Sequence, residues 1–224
     1  TITTVSPINI TVTEKQTKNP TQNWQYNIIE NHPRLFFNDI TFQQVKERAF
    51  GKEREALQQM KSRIDDVLDI KIEFKSVDEP DGTSTSNHQF GHRAAESALL
   101  FHLYKDEKYL NYAKNVLIEL VNYYHLRNNA NLNIHWYGFA QISALCAYDW
   151  IYNNLTEEEK IEIGQKLLTS INEMIYNGKR KQRFRENIGD YKTDFYGQRV
   201  LSWYAGVVFY NAGINDSLAN KLLL

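Results

Sequence analysis

The sequence predicts an all-α fold built from helical hairpins, and three features of the chain support this prediction. Gly (10 residues) and Pro (4 residues) are scarce in a chain of 224 residues, and apolar side chains recur at helical spacing over long stretches. From His92 onward the chain repeats one pattern three times: an apolar stretch rich in small and aromatic residues, a short polar link and an amphipathic stretch. This repeat predicts alternating inner and outer helices, as in an α/α solenoid or toroid.

The N-terminal part is predicted to be extended. Residues 1–31 are rich in Thr, Asn and Gln, and "TITTVSPINITVTE" alternates β-branched residues with small polar ones. Pro33 disfavours helix at the preceding residue. We therefore divide the chain into an extended lead-in, residues 1–31, and a helical domain, residues 32–224.

Helical spacing begins shortly after this lead-in. Asn38 or Asp39 is placed to cap a helix that begins near Thr41, and the apolar spacing is interrupted near Gly51. The stretch "DEPDGTSTSN", residues 78–87, is predicted to be a loop because of its composition.

Three helix pairs follow. Their inner helices are expected to start near Arg93, Trp136 and Phe195, and to be more buried than their amphipathic partners. Thr156 and Glu159 have the spacing of a capping box at the start of the second outer helix. The last pair has only a short second helix before Leu224, so we expect the toroid to be truncated at its C-terminus.

Composition excludes several classes of protein. A formal net charge of −1 argues against a general nucleic-acid-binding protein. Cys146 lies in the apolar run "SALCAYDW" and is predicted to be a core residue. The sequence contains no segment apolar enough to span a membrane. It also contains no glycine-rich phosphate loop and no convincing metal-ligand spacing, so neither a cofactor nor a metal is predicted.

Four segments in order resemble a known family. "NHPRLFF", "SALLFHLYKDEKYLNYAKNVL", "ALCAYDWIYNNLTEEEK" and "YGQRVLSWYAGVVFYNAGIND" resemble the N-terminal helical domain of heparinase II/III-like polysaccharide lyases, from His32 to the C-terminus. The resemblance implies an incomplete (α/α) toroid followed by a β-sandwich domain that this sequence does not contain. It also implies a periplasmic or secreted enzyme that cleaves uronic-acid-containing polysaccharides by β-elimination.

β-Elimination sets three chemical requirements. The uronate carboxylate must be neutralised so that the neighbouring proton becomes acidic, a base must remove this proton, and an acid must protonate the departing oxygen. In the family, an Asn or His near the start of the third inner helix neutralises the carboxylate, and a Tyr, often with a His, transfers the protons.

The resemblance places the catalytic candidates mainly in "GDYKTDFYGQR". Tyr191 occupies the position of the neutralising His of some members, and Asp194 that of an acidic partner. The Asn and His signature is absent, so Gln198, one turn after Asp194, is the candidate that supplies an amide to the carboxylate. The family's catalytic Tyr is expected beyond Leu224.

The remaining candidates also lie near the predicted starts of the inner helices. His135 is a candidate base or hydrogen-bond donor, and the other candidates would bind substrate: Asn87, His88, Arg93, Trp136, Tyr196 and Arg199. The alternative for all of them is a structural role in capping, ion pairing or packing. His32, His102 and His125 are predicted to be structural.

A basic segment precedes the third inner helix. Lys179, Arg180, Lys181, Arg183 and Arg185 would attract an anionic polymer, with Arg183 and Arg185 binding carboxylate or sulfate groups. The alternative is a solvated loop that complements the C-terminal dipole of the preceding helix.

Three functions remain open from the sequence. The first is a lyase that acts on an anionic glycan such as a glycosaminoglycan. The second is a glycoside hydrolase of unsaturated uronides, which would need two carboxylates across the cleft. The third is a non-catalytic domain that binds anionic glycans.

Overall fold

The structure, a computed structural model, describes residues 27–74, 85–130, 139–176 and 198–223. The side chains of residues 85–88, 139, 174–176, 198 and 199 are not described. The described residues form eight α-helices: α1 (Phe42–Phe50), α2 (Arg54–Asp65), α3 (Thr85–Tyr104), α4 (Glu107–Asn129), α5 (Phe139–Ile151), α6 (Glu157–Tyr176), α7 (Gln198–Phe209) and α8 (Asp216–Leu223). These residues contain no strand, which confirms the all-α prediction for this part of the chain.

The first, third and fifth helices of the repeat region form one layer. His92 Nδ1 of α3 lies 2.9 Å from Ser143 Oγ of α5, and His102 Nε2 lies 2.6 Å from the carbonyl oxygen of Trp150. Residue numbers increase together in these contacts, so α3 and α5 run parallel. The helix α7 packs against α5 in turn, with the rings of Tyr148 and Phe209 5.4 Å apart.

The outer helices α4 and α6 form a second layer. Lys114 Nζ of α4 lies 2.7 Å from Glu159 Oε1 of α6. About two turns further along both helices, Lys166 Nζ donates to Asn122 Oδ1 at 2.6 Å. These two helices are therefore also parallel to each other, and each runs antiparallel to the inner helix of its own hairpin.

The inner helices α3 and α5 approach each other closely at one glycine. A Cβ atom added to Gly91 would lie 2.5 Å from the carbonyl oxygen of Ala140, which is much shorter than any normal contact. Because the obstacle is backbone rather than a flexible side chain, only glycine permits this separation.

We expect Gly91→Ala to lower the free energy of unfolding by about 1–3 kcal/mol because the two helices must separate. In an exposed helix interior, Gly→Ala would instead raise the free energy of unfolding by roughly 0.5–1 kcal/mol. Whether Gly91→Ala raises or lowers stability therefore distinguishes a close helix contact from an exposed site. Urea denaturation measures the effect. Gly164→Ala is the comparison variant. The nearest atoms to its added Cβ belong to side chains, including Ile214 Cδ1 at 2.4 Å. Because side chains can move, Gly164→Ala should destabilise the protein less than Gly91→Ala. Stabilisation by Gly91→Ala would contradict the close approach.

Several local predictions are confirmed. The helix predicted over residues 42–68 breaks at Gly51, where α1 ends and α2 follows. Asn38 Oδ1 accepts from the backbone N–H groups of Ile40 and Thr41, both at 3.0 Å. The capping box also forms: Glu159 accepts from the Thr156 N–H at 2.9 Å, and Thr156 Oγ1 accepts from the Glu159 N–H at 3.2 Å.

Other predictions are wrong. The helix α3 begins at Thr85 rather than near Arg93. The Thr, Ser and Asn residues that suggested a loop are also the residues found at helix N-caps, so composition alone did not separate the two. The helix α7 is described from Gln198, and its predicted start near Phe195 lies outside the described residues. His125, predicted to pack inside, is exposed and contacts Asn129 on its own helix.

The difference in burial between inner and outer helices is smaller than predicted. Helix α5 is buried on most sides, as expected, and Cys146 lies in it with 4 % of its surface exposed. Burial raises the pKa of the Cys146 thiol to about 12, which keeps it protonated and unreactive. Helix α7, in contrast, leaves Val200 and Trp203 more than 40 % exposed.

The segment "NHPRLFF" docks onto the end of α5 through a buried carboxylate. Asp149 is fully buried, and its Oδ2 accepts from the backbone N–H groups of Arg34 and Leu35, both at 2.8 Å. Its Oδ1 lies 2.5 Å from Nδ1 of His32. Trp150 Nε1 and Asn153 Nδ2 complete the attachment by donating to the Leu35 and His32 carbonyl oxygens. His32 is therefore structural, as predicted.

Arg34 ties the same segment to the end of α7. Its Nη1 donates to the carbonyl oxygens of Val207, Val208 and Tyr210 at 2.8–3.2 Å. The first two carbonyl groups belong to the last turn of α7, where no intrahelical partner is available, and the third belongs to the residue after its end. One guanidinium group therefore caps α7 and holds residues 30–35 across the ends of α5 and α7.

His32 gives this attachment a predictable pH dependence. Burial lowers the pKa of His32 in the folded state. The positive charges of Arg34 and Lys160 lower it further, and the contact with Asp149 raises it by less than burial lowers it. As pH falls below about 6.5, the unfolded chain therefore binds the proton before the folded chain does, and the free energy of unfolding falls by up to about 1.4 kcal/mol per pH unit.

Urea denaturation between about pH 7.5 and about pH 5.5 checks this dependence. The variant His32→Gln should be less stable throughout but should lose stability less steeply on acidification. A residual slope is expected because burial also lowers the pKa of His102. Equal slopes for the two proteins would show that His32 does not titrate in this way.

Candidate functional site

The candidate site lies at the end of the molecule where α3, α5 and α7 begin. Because these three helices are parallel, their N-terminal ends face the same side. Asn87 and His88 are in the first turn of α3, and Gln198 and Arg199 are the first two residues of α7. The structure thus brings the backbones of these four predicted residues to one end of the inner layer, while their side chains are not described.

Seven predicted residues lie outside the described residues. They are His135, Trp136, Arg183, Arg185, Tyr191, Asp194 and Tyr196. Their assigned roles stay predictions.

Arg93 is the one predicted site residue whose side chain is described. It is half-buried, its guanidinium carbon lies 5.2 Å from the centre of the Phe90 ring, and its Nη2 is 3.3 Å from Gln89 Oε1. Arg93 also hydrogen-bonds to Tyr112, which opposes the increase that burial causes in the pKa of that phenol. All of these contacts are to neutral groups. Among the described residues, Arg93 therefore does not form the ion pair with a nearby acid that was its alternative, structural role.

The pair formed by His92 and Ser143 was not predicted. His92 is exposed one turn after His88, and its Nδ1 is joined to Ser143 Oγ by the 2.9 Å hydrogen bond. The close approach at Gly91 and Ala140 puts these two side chains in reach of each other. A hydrogen bond at Nδ1 fixes the imidazole orientation and leaves Nε2 as the nitrogen able to exchange a proton with a ligand. The sequence signals were the His, Asn and Arg residues around His92 at the first inner helix and the polar residues Gln141 and Ser143 near the start of α5.

Several polar groups are buried near the starts of the inner helices, mostly in the outer helices α4 and α6. Arg127, near the end of α4, is 1 % exposed, and Gln141 in α5 is fully buried. Tyr124 Oη, Asn128 and Ser170 Oγ are also buried, and within the described residues no hydrogen-bond partner satisfies them. Burial raises the pKa of Tyr124, so its phenol remains protonated. Polar groups buried this deeply are normally hydrogen-bonded, so these groups call for partners.

The charges near the helix ends differ between the two layers. The first turns of α3, α5 and α7 contain no acidic residue. The first turns of α4, α6 and α8, which start at the opposite end, each contain at least one: Glu107, Glu157–Glu159 and Asp216. Helix N-termini carry partial positive charge, and within the described first turns of the inner helices no acidic side chain neutralises it. The candidate end is therefore suited to an anionic ligand.

Comparison with known proteins found no matching family model, curated protein or solved structure. No helix that the structure describes is long and apolar enough to cross a membrane. Within the same residues, no three His, Cys, Asp or Glu side chains come together in a way that could hold a metal ion.

Proposed function

We propose that the protein is a polysaccharide lyase that cleaves an anionic, uronic-acid-containing glycan by β-elimination, and that its hairpins belong to an incomplete (α/α) toroid. The observation that carries this proposal is the convergence of three parallel helix N-termini without first-turn acids. A uronate carboxylate bound there would be stabilised by the helix dipoles and by backbone N–H groups. The resemblance in sequence supports the same chemistry.

Among the described side chains, one suits substrate binding and one suits proton transfer. Arg93 can bind a carboxylate or sulfate group of the polysaccharide, since its described contacts are to neutral groups. His92, oriented by Ser143, can exchange a proton through Nε2. Neutralisation of the carboxylate during proton removal is assigned to the amide of Gln198, with Tyr191, Asp194 and His135 as further catalytic candidates and Asn87, His88, Trp136, Tyr196 and Arg199 as substrate contacts.

An assay of ultraviolet absorbance tests the proposal. Elimination creates a double bond conjugated with the uronate carboxylate, so absorbance rises as the polymer is cut, whereas hydrolysis releases reducing ends without this chromophore. Heparan sulfate, chondroitin sulfate, alginate and algal uronans form the substrate panel. Binding without cleavage would identify a glycan-binding domain, and reducing ends without absorbance would identify a hydrolase.

The basic segment gives a prediction about affinity. Changing Arg183 and Arg185 to Ala should weaken glycan binding, with each exposed contact contributing about 1 kcal/mol or less. The dependence of affinity on salt should also become shallower, because fewer counterions are displaced. Calorimetry across a salt series measures both quantities, and circular dichroism should show unchanged helix content. The matched control is a double change of exposed basic residues on the α1–α2 side, Arg48→Ala with Lys52→Ala. If the Arg183 and Arg185 variant keeps its affinity and salt slope, the segment is only a solvated connection.

A further inference from the structure

Helices α5 and α7 are equivalent parts of the repeat. Their sequences align when "YG" at residues 137–138, just before α5, is placed on "YG" at residues 196–197, just before α7. The same alignment places Ser143 on Ser202. It therefore identifies the face of α7 that corresponds to the face by which α5 contacts the next inner helix.

On α5 this face is covered by α7. Its residues Gln141, Ala144, Leu145 and Tyr148 are each 0 % exposed. They recur at positions i, i+3, i+4 and i+7, which places them on one side of the helix. The ring contact between Tyr148 and Phe209 shows that this side faces α7.

On α7 the corresponding face is partly open. Val200, Trp203, Tyr204 and Val207 take the four aligned positions. Val200 is 47 % exposed and Trp203 is 44 % exposed, while Tyr204 is half-buried. Val207 is buried, and its carbonyl oxygen accepts from Arg34. The face that holds a neighbouring helix on α5 is therefore left partly exposed on α7.

Phe36 adds an exposed ring to this face. Its side chain is 67 % exposed, and its ring lies 5.5 Å from that of Tyr204, which in turn lies 5.3 Å from that of Trp203. The φ angle of Phe36 is 65°, a left-handed conformation that is rare and costly for a bulky residue. Leu35 and Phe37 on either side are buried, so anchored neighbours hold Phe36 at the surface. Strain of this kind, at an exposed aromatic ring, points to a contact with a partner.

Phe36, Val200, Trp203 and Tyr204 together form one apolar surface, the α7 patch. Its exposed area is roughly 300–400 Å², since a large aromatic side chain has about 150–250 Å² to bury. Surface patches of this size are often functional. If two such patches covered each other, the interface with its polar rim would bury roughly 1,200 Å², the lower end of the range for specific complexes. The α7 patch is thus large enough for a specific but weak dimer.

Two observations favour a second copy of this chain as the partner. No side chain of the α7 patch is charged, so two copies of the patch can meet without like-charge repulsion between these side chains. In the described part of the chain, the opposite edge of the inner layer is already occupied: α2 packs on α3, with Arg63 Nη2 2.8 Å from Glu96 Oε1. The matching apolar face that another copy offers is therefore its own α7 patch, and contact between identical patches closes with two-fold symmetry.

We propose that two copies of this chain form a two-fold dimer in which the α7 patch of each copy covers that of the other. Trp203 and Tyr204 lie at the centre of the patch, where large aromatic side chains contribute most to binding energy. The dimer does not depend on the proposed lyase activity.

Sedimentation velocity of the whole chain across a concentration series tests the proposal. We expect an equilibrium between monomer and dimer with a dissociation constant in the micromolar range. Trp203→Glu places a negative charge in the α7 patch of both copies and should weaken dimerisation at least about tenfold. Ile161→Glu introduces the same charge at a 54 % exposed position of α6 and should leave the equilibrium unchanged. Circular dichroism should show equal helix content in both variants.

Phe36→Asn separates a role in the dimer from a role in the fold. Asn adopts a left-handed backbone more readily than Phe, so the free energy of unfolding of the diluted, monomeric protein should stay close to the wild-type value. Dimerisation should nevertheless weaken several-fold, because the exposed ring is lost. A residue that served only the fold would instead give lower stability and an unchanged dimer. A protein that is monomeric at every concentration would overturn the proposal and assign the α7 patch to a different partner. A dimer that survives both Trp203→Glu and Phe36→Asn in folded protein would overturn it as well.

Discussion

Asp149→Asn is expected to lower the free energy of unfolding by about 3–5 kcal/mol, the range found when one partner of a buried charged network is removed. The carboxylate lies at the centre of the attachment between residues 32–35 and α5, and both of its oxygens accept hydrogen bonds. An amide can accept through only one atom, and its NH₂ group would face backbone N–H donors. At least one buried donor would then be unsatisfied, at a cost of about 1–3 kcal/mol, in addition to the lost charge.

Urea denaturation followed by circular dichroism measures this change. Asp69→Asn is the matched control, since Asp69 is exposed and the same chemical change there should alter stability by less than about 0.5 kcal/mol. Because typical domains are stable by only about 5–15 kcal/mol, the variant Asp149→Asn should be visibly less cooperative or partly unfolded on mild heating. A loss below about 1 kcal/mol would show that the docked segment contributes little to the fold.

Gln198→Ala is expected to slow glycan elimination by about a hundredfold while changing glycan affinity little. The amide is assigned to the carboxylate of the substrate, whose negative charge increases as the neighbouring proton leaves. An interaction that strengthens in the transition state affects the maximal rate more than binding of the substrate. The effect should therefore appear in kcat, with KM close to its wild-type value.

The matched control for this rate effect is Gln59→Ala on α2, which removes the same amide from an exposed position. Circular dichroism should show equal helix content in both variants. Equal loss of kcat in the two proteins, or a rise in KM with an unchanged kcat, would show that Gln198 does not act on the developing charge.

The helices and their pairing were predictable because they depend on local patterns. The break at Gly51 and the Thr156–Glu159 capping box follow from residue types over a few positions. The start of α3 at Thr85 was not predictable, since Ser, Thr and Asn favour both loops and helix N-caps. Here the surrounding tertiary structure decides between two locally acceptable conformations.

The site was harder to predict because it depends on contacts between distant residues. Neither His92 nor Ser143 is unusual in sequence, and they meet only because Gly91 lets α3 approach α5. His32 was correctly assigned a structural role, but nothing in the sequence showed that Asp149, 117 residues away, would be its partner. Nothing in the sequence showed that Arg34 would cap α7.

The most direct test of the account is the mass of the products formed from a defined uronic-acid oligosaccharide. Elimination divides the substrate without adding water, so the two products together have the mass of the substrate and one carries an unsaturated uronate at its non-reducing end. Hydrolysis adds one water molecule, and the summed mass rises accordingly. The account predicts products without added water, formed more slowly by Gln198→Ala. Products that contain the added water, or an intact substrate that is bound but never cleaved, would contradict it.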